Sequence, residues 1–250
     1  MLIVFALIVM RISGAVLFNP VLGRSNLPSQ AKAALILMLS MLLYVSTGDA
    51  SVRQPVNMLE FGVMLLMELL VGFVIAYVME LAFLVVRFAS SIMDYSMGLT
   101  MAQVYDPQTN TQVNVTSNLY YGFLFLLFLA MDGHIWLIRL FFQSVDIVPL
   151  GEVALRPVMA QEILTLFQES ITMGLQFAFP LLAMELVTEA AVGILMRMIP
   201  QINVFVVNFQ IKISVGLLML VYLFSPMSDQ MYVILERMFR SMEQILPLLG

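Results

Sequence analysis

Apolar residues run in long blocks along this chain, and the polar positions between them mark where the blocks begin and end. The first block covers about Leu2 to Phe18 and is interrupted by Arg11; Asn19-Pro20 and Leu27-Pro28 then bracket a turn holding Gly23 and Arg24. The second, Ala31 to about Val45, is short for a hydrocarbon core of ~30 Å. The third, Met58 to Val86, is too long for one untilted span and carries Glu60, Glu68 and Glu80. The fourth starts near Leu119, is interrupted at Asp132-Gly133-His134 and resumes to Phe142. The fifth, Ile171 to Ile199, contains Pro180, Glu185, Glu189 and Arg197, and the sixth, Ile202 to Phe224, contains Lys212. Two stretches follow a helical period instead. Leu155, Val158, Met159, Ile163, Leu166 and Phe167 share one face, and Met231, Leu235, Met238, Met242 and Ile245 recur at alternating spacings of four and three. Both predict amphipathic helices. The pattern as a whole predicts an all-α, polytopic membrane-type protein of about six apolar helices plus two amphipathic ones, with no short repeat and no separate soluble domain.

One stretch breaks the pattern. Gly98 to Asn118 reads GLTMAQVYDPQTNTQVNVTSN, with a single charge, Asp106, a single proline, Pro107, and many neutral amides and hydroxyls, among them Gln103, Gln108, Asn110, Gln112 and Asn114. A polar loop of about 20 residues without its own periodicity is unusual in a compact protein and is commonly functional. Amides hydrogen-bond without carrying charge, so such a loop can be buried in protein provided its groups find partners.

Composition narrows the class. The chain has 250 residues, 62% of them hydrophobic and only 11% charged, which places it with membrane proteins. A net charge of −5 without a basic block gives no footing for nucleic acid. The lack of cysteine excludes disulfides, iron–sulfur clusters and Cys-ligated zinc. The single histidine, His134, excludes the two-His zinc motif of metalloproteases. No nucleophile signature surrounds His134, so a role in the turn is expected, with neither a cofactor nor enzymatic chemistry. Met1 to Val9 lacks a positive n-region, which favours a first transmembrane-type helix over a secretory signal. The 22 methionines suit surfaces that repack against different neighbours.

Seven charges fall in or beside apolar segments: Arg11, Glu68, Glu80, Glu185, Glu189, Arg197 and Lys212. Each costs on the order of 3 kcal/mol at a bilayer centre even on the lenient insertion scale, so these side chains are expected to face protein or water. They make either ion pairs between helices or subunits, or a proton or ion relay. Glu185 and Glu189 lie four apart on one helical face, where like charges repel and a cation is wanted; Arg197 lies two further turns along. No segment concentrates acids with the glycine-broken pattern of a transport site, which favours ion pairs. A stand-alone ion-coupled secondary transporter using Glu68, Glu80, Glu185 and Glu189 is the alternative, and an intramembrane enzyme lacks a residue set.

The stretch from Glu189 to Lys212, EAAVGILMRMIPQINVFVVNFQIK, carries Gly193, Arg197, then Pro200, Gln201, Ile202, Asn203, Val204 and Phe205 in a block, and Lys212 in the following helix. It resembles the FliR family of flagellar biosynthetic proteins, homologous to the export-gate subunit of type III secretion injectisomes (the SpaR/SctT class). Arg11, Gly14, Pro20, Pro28, Lys32, Gly98, Gly133-His134, Ser144 and Pro149 agree in order, so the resemblance covers essentially the whole chain. It implies a non-enzymatic subunit of the export gate in the bacterial inner membrane, at the flagellar basal body. The implied partners are two small companion membrane proteins, several copies of each to one of this subunit, and the substrate-specificity switch membrane protein. Unfolded flagellar proteins would pass through the channel they form. By the same resemblance residues 1–165 take the first companion's part and 166–250 the second's. The loop 98–118, including Met101 and Tyr105, plugs the pore beside a methionine-rich gasket supplied by the companions.

Overall fold

The computed structural model describes residues 2–23, 27–47, 54–102, 104–106, 111–113, 115–154, 156–198 and 204–250, and the side chains of these except within 101–115 and 204–206. Its described residues form eight α-helices: α1 (Leu2–Leu17), α2 (Ser29–Thr47), α3 (Met58–Met97), α4 (Val115–Ala130), α5 (Gly133–Ile147), α6 (Pro157–Met198), α7 (Val204–Tyr222) and α8 (Phe224–Ile245), with short 3-10 turns at Leu99–Ala102 and Leu246–Leu249. The protein is all-α apart from one small feature in the polar stretch between α3 and α4. There β1 (Val104–Asp106) and β2 (Thr111–Val113) pair antiparallel, Val104 opposite Val113 and Asp106 opposite Thr111.

Helix boundaries follow the backbone breakers more than the hydropathy. α3 continues eleven residues past Val86 to Met97, because Arg87 and Asp94 do not break a helix and no glycine intervenes until Gly98. At 40 residues it is roughly 60 Å long at 1.5 Å per residue. The amphipathic stretch from Leu155 and the fifth apolar block fuse into the single 42-residue α6; nothing between Glu169 and Ile171 stops a helix, and Pro180 is carried inside it. The fourth block does break. Asp132 sits in the left-handed region (φ 56°), and a Cβ on Gly133 would run into the Phe128 ring, so α4 ends and α5 starts there. The loop expected to lack periodicity contains a ladder, for which Val104, Tyr105, Thr111 and Val113 are suited by β-propensity.

The chain divides into two compact units. The first comprises Met1–Ala82, Phe128–Gln168 and Leu235–Gly250, the second Phe83–Leu127 and Glu169–Ile234. The first buries Leu7, Ile8, Ile12 and Val16 of α1 with Val71, Ile75 and Met79 of α3 and Leu140 of α5. The α8 stripe Leu235, Met238, Met242 and Ile245 is buried as its spacing predicts. The α6 stripe is not: Met159 is buried, whereas Val158 and Phe167 are exposed. Where α1 crosses α3 the backbones touch, because a Cβ on Gly72 would collide with the Arg11 carbonyl and one on Gly14 with that of Leu69. The second unit packs Phe83, Met93 and Met97 of α3, Tyr120 and Leu124 of α4, Phe177 and Leu181 of α6 and Met231 of α8. Tyr120 stands edge-on to Phe177 at 5.9 Å and donates its hydroxyl to Met227 Sδ at 3.0 Å.

Three helices, α2, α3 and α6, are long and apolar enough to cross a membrane, or up to five spans if the bent pairs α4–α5 and α7–α8 each count as one. Burial separates them. The spanning window of α3 is 67% buried, against 11% for α2 and 22% for α6. α3 is therefore core, whereas α2 and α6 present apolar faces, such as Met38, Met41 and Val45 on α2, to lipid or to other proteins.

Candidate functional site

Two centres of buried acid and the loop between α3 and α4, with the buried Asp94 at its base, are the candidate polar features among the described residues. The first centre is a closed ion pair. Arg11 and Glu68 are 1% and 0% exposed, and Arg11 Nε donates to Glu68 Oε2 at 2.6 Å. The other guanidinium nitrogens donate to the last turn of α5: Nη1 to the Ser144 carbonyl at 2.7 Å and Nη2 to the Val148 carbonyl at 2.9 Å. Glu68 Oε1 accepts the Gly151 N–H at 2.8 Å, in a turn where Gly151 adopts φ 80°. Every charged group here has a partner, and the guanidinium also complements the carbonyl-rich C-terminal end of α5. The Gly14–Gly72 approach allows it: with α1 this close to α3, Arg11 and Glu68 meet a turn away. Asn19 Oδ1 accepts the N–H groups of Val21 and Leu22, and Lys32 Nζ donates to the Gly23 carbonyl at 2.8 Å.

The second centre, between α6 and α7, is open. Lys212 Nζ donates to Glu189 Oε1 at 3.1 Å, with Glu189 57% exposed. One turn back along α6, Glu185 is only 4% exposed, and neither of its carboxylate oxygens has a hydrogen-bond partner among the described residues. Lys212 and Glu189 are the charges that act on it. On α7, a Cβ added to Gly216 would overlap Met97 Sδ and lie 3.0 Å from Glu185 Oε1, so the Glu185 carboxylate and the Met97 thioether both sit over that glycine. Arg197, in the last turn of α6, is exposed, with no ion pair among the described residues. It does not supply the cation that Glu185 and Glu189 call for; Lys212 does. Glu80 is half-buried on α3. Gly193 lies in open space, with nothing within 4 Å of an added Cβ.

The polar loop leaves and rejoins the helices at one place. α3 ends at the fully buried Met97. Gly98 turns the chain away with φ 77°, its N–H bonded to the Tyr95 carbonyl at 3.1 Å, and a Cβ added there would touch the Phe209 ring of α7 at 3.5 Å. At the far end, the buried carboxylate of Asp94 interacts with the Thr116 hydroxyl and with the backbone N–H groups of Thr116 and Ser117, at geometries short of full hydrogen bonds. Those N–H groups belong to the first turn of α4, where a helix favours negative charge. One residue near the end of α3 therefore lies beside the start of α4. Asp94 was not among the site residues expected from sequence. Its signal was an acid just before the loop, facing a run of N-cap-type residues just after it.

Of the expected plug residues, Met101 lies in the 3-10 turn, and Tyr105, Asp106 and Gln112 in the ladder, with Tyr105 paired to Gln112. Gln103, Pro107, Gln108, Asn110 and Asn114 lie outside the described residues, as do Pro200, Gln201 and Asn203 of the motif; Phe205 is in the first turn of α7.

The model of the family described as bacterial export proteins, family 1, matches residues 2–238. The chain is 28% identical over 211 residues to the flagellar biosynthetic protein FliR of Escherichia coli K12, covering 83% of this chain and 79% of that one. To FliR of Bacillus subtilis 168 it is 27% identical over 253 residues, 98% and 95% of the two chains. To the surface presentation of antigens protein SpaR of Shigella sonnei it is 26% identical over 146 residues, 58% and 56%.

Proposed function

The chain belongs to the bacterial export proteins of family 1, and on that premise we propose that it is a wall subunit of the flagellar type III export gate, in which the 98–118 loop closes the channel. It works in the inner membrane at the flagellar basal body, in a complex with two small companion membrane proteins and the specificity-switch membrane protein, and it acts by shape and contact rather than by catalysis. Unfolded flagellar subunits are its passengers. Residues 1–165 and 166–250 take the parts of the two companions.

The observation that carries the reading is the closed excursion of the loop. Met97 and Gly98 set its start against α7, the buried Asp94 lies at the first turn of α4 where it ends, and the ladder between them, with Asp106 its one charge, lies outside the helices. A plug needs fixed ends and an adaptable middle. The uncovered apolar faces of α2 and α6 support partners packed on each of these helices. The transporter reading is weakened by Glu68, whose two oxygens are both taken, by Arg11 and by Gly151.

A stalled passenger tests the proposal. The chain has no cysteine, so Gln112→Cys gives one reactive thiol in the ladder of the assembled gate. A flagellar substrate fused to a tightly folded domain, and carrying a single cysteine, stalls in transit. A short bis-maleimide should then join Gln112→Cys to the stalled chain and not to a freely exported one. Absence of that cross-link in a complex that exports normally would contradict the proposal.

A further inference from the structure

The loop begins at a point where two side chains lie over one glycine. Met97, the last residue of α3, and the Glu185 carboxylate both lie over Gly216 of α7. Glu185 is 4% exposed, with neither oxygen hydrogen-bonded among the described residues. Lys212, one turn before Gly216 on the same helix, is committed to the exposed Glu189 at 3.1 Å, although Glu185 also feels its charge. One ammonium thus stands between two carboxylates, one wet and one dry. α3 brings the uncharged Met97 to this spot, and its nearest acid, Asp94, lies at the start of α4.

We propose that Lys212 is a two-position latch for the loop and Glu185 its second seat. With Lys212 on Glu189, Met97 fills the space over Gly216 and the loop is anchored. An ammonium that reaches Glu185 must enter that space, so it displaces Met97 and with it Gly98, where the chain turns into the loop. The two positions are close in energy for a physical reason. An exposed ion pair is weak because water screens it, whereas a pair with a buried acid has stronger attraction offset by desolvation. A small difference in contacts then shifts the population between the two arrangements. Glu185 and Lys212 are positioning residues: they set where the loop starts and touch no passenger. The inference rests on the reading of the loop as a plug only for its effect on sealing; the latch itself concerns loop attachment.

Two nearly isosteric neutralisations, one turn apart on α6, should act in opposite directions. Glu189→Gln removes the first seat and sends Lys212 to Glu185; Glu185→Gln removes the pull of the second and leaves Met97 in place. Each is combined with Gln112→Cys in the assembled complex in membranes, and the rate of maleimide labelling is read together with small-ion leakage. Glu189→Gln should raise the labelling rate about tenfold, within the usual range of coupling between sites, and Glu185→Gln should lower it below that of the parent. Adding Lys212→Met should abolish the difference between the two. Labelling that moves as stated while leakage stays flat would uphold the latch and overturn the plug. Equal labelling in both variants, or a shift of the same sign, would overturn the latch. Should Glu189→Gln not assemble, Glu185→Gln decides alone: a lower rate upholds the latch, and an unchanged or higher one overturns it.

Discussion

Arg11–Glu68 and Lys212–Glu185–Glu189 place buried acids in helical walls by opposite means. The first is a completed circuit: a guanidinium spans one carboxylate and two carbonyls at the end of α5, and the other carboxylate oxygen takes the Gly151 N–H. The second leaves its buried member without a hydrogen bond and gives its cation to an exposed neighbour. A buried charge whose hydrogen bonds are all met is costly to disturb, because removing any one group strands the rest. A buried acid with no bonds of its own loses little when altered and can gain when a partner moves. The first arrangement fixes helices; the second permits change. It is the second that adjoins the base of the polar loop.

The largest effect is expected from breaking the closed centre. Arg11→Ala strands Glu68 and two carbonyls and should cost about 3–5 kcal/mol, read as loss of assembled complex or as a much lower denaturation midpoint in detergent. The double change Arg11→Met with Glu68→Leu should recover most of that loss, since a well-packed apolar pair can replace a buried ion pair; no recovery would mean that the packing between α1 and α3 dominates.

Next comes Gly72→Ala, whose added methyl would meet the Arg11 carbonyl backbone and push α1 from α3, at about 1–3 kcal/mol. Gly193→Ala is the contrasting case. Its Cβ meets nothing, so the chain itself should keep or gain stability by up to about 1 kcal/mol from helix propensity. If assembly nevertheless fails with Gly193→Ala, a partner packs on that face. At the open centre, Glu185→Leu should cost no more than about 1 kcal/mol, against the several expected at Glu68; a loss as large as that of Arg11→Ala would erase the distinction between the two centres. The smallest effect belongs to Arg197→Ala, exposed at the end of α6, which should change the chain's own stability by less than about 0.5 kcal/mol.

Much of this was legible in the sequence for identifiable reasons. Apolar blocks announce helices, so α1, α2, α3 and α7 are visible there one by one, and the α8 stripe states its own burial. Their joints are less visible, because hydropathy falls at Glu169 without any backbone cause for a helix to stop, whereas the interruption at Asp132-Gly133-His134 splits one apolar block into two helices. Arg11, Glu68, Glu185, Glu189 and Lys212 stand out as charges in apolar company. Which meets which does not, since pairing depends on crossings such as Gly14 with Gly72, which no local pattern encodes. Asp94 does not stand out in the sequence, because a lone acid near a helix end resembles a solvated one, and only the fold brings the start of α4 beside it. The ladder in the loop escaped notice because three-residue strands are too short to show a period of two.

The central claim is that the loop is a seal on fixed ends, and electrical conductance tests it most directly. Val104 and Val113 face each other across the ladder, so deleting Val104 to Val113 and closing the gap shortens the loop with little disturbance to α3 or α4. The purified complex, checked for intact assembly, is inserted into planar bilayers. The parent complex should be closed to ions at rest, and the deletion should conduct steadily. A deletion complex that assembles fully and stays as tight as the parent would contradict the claim.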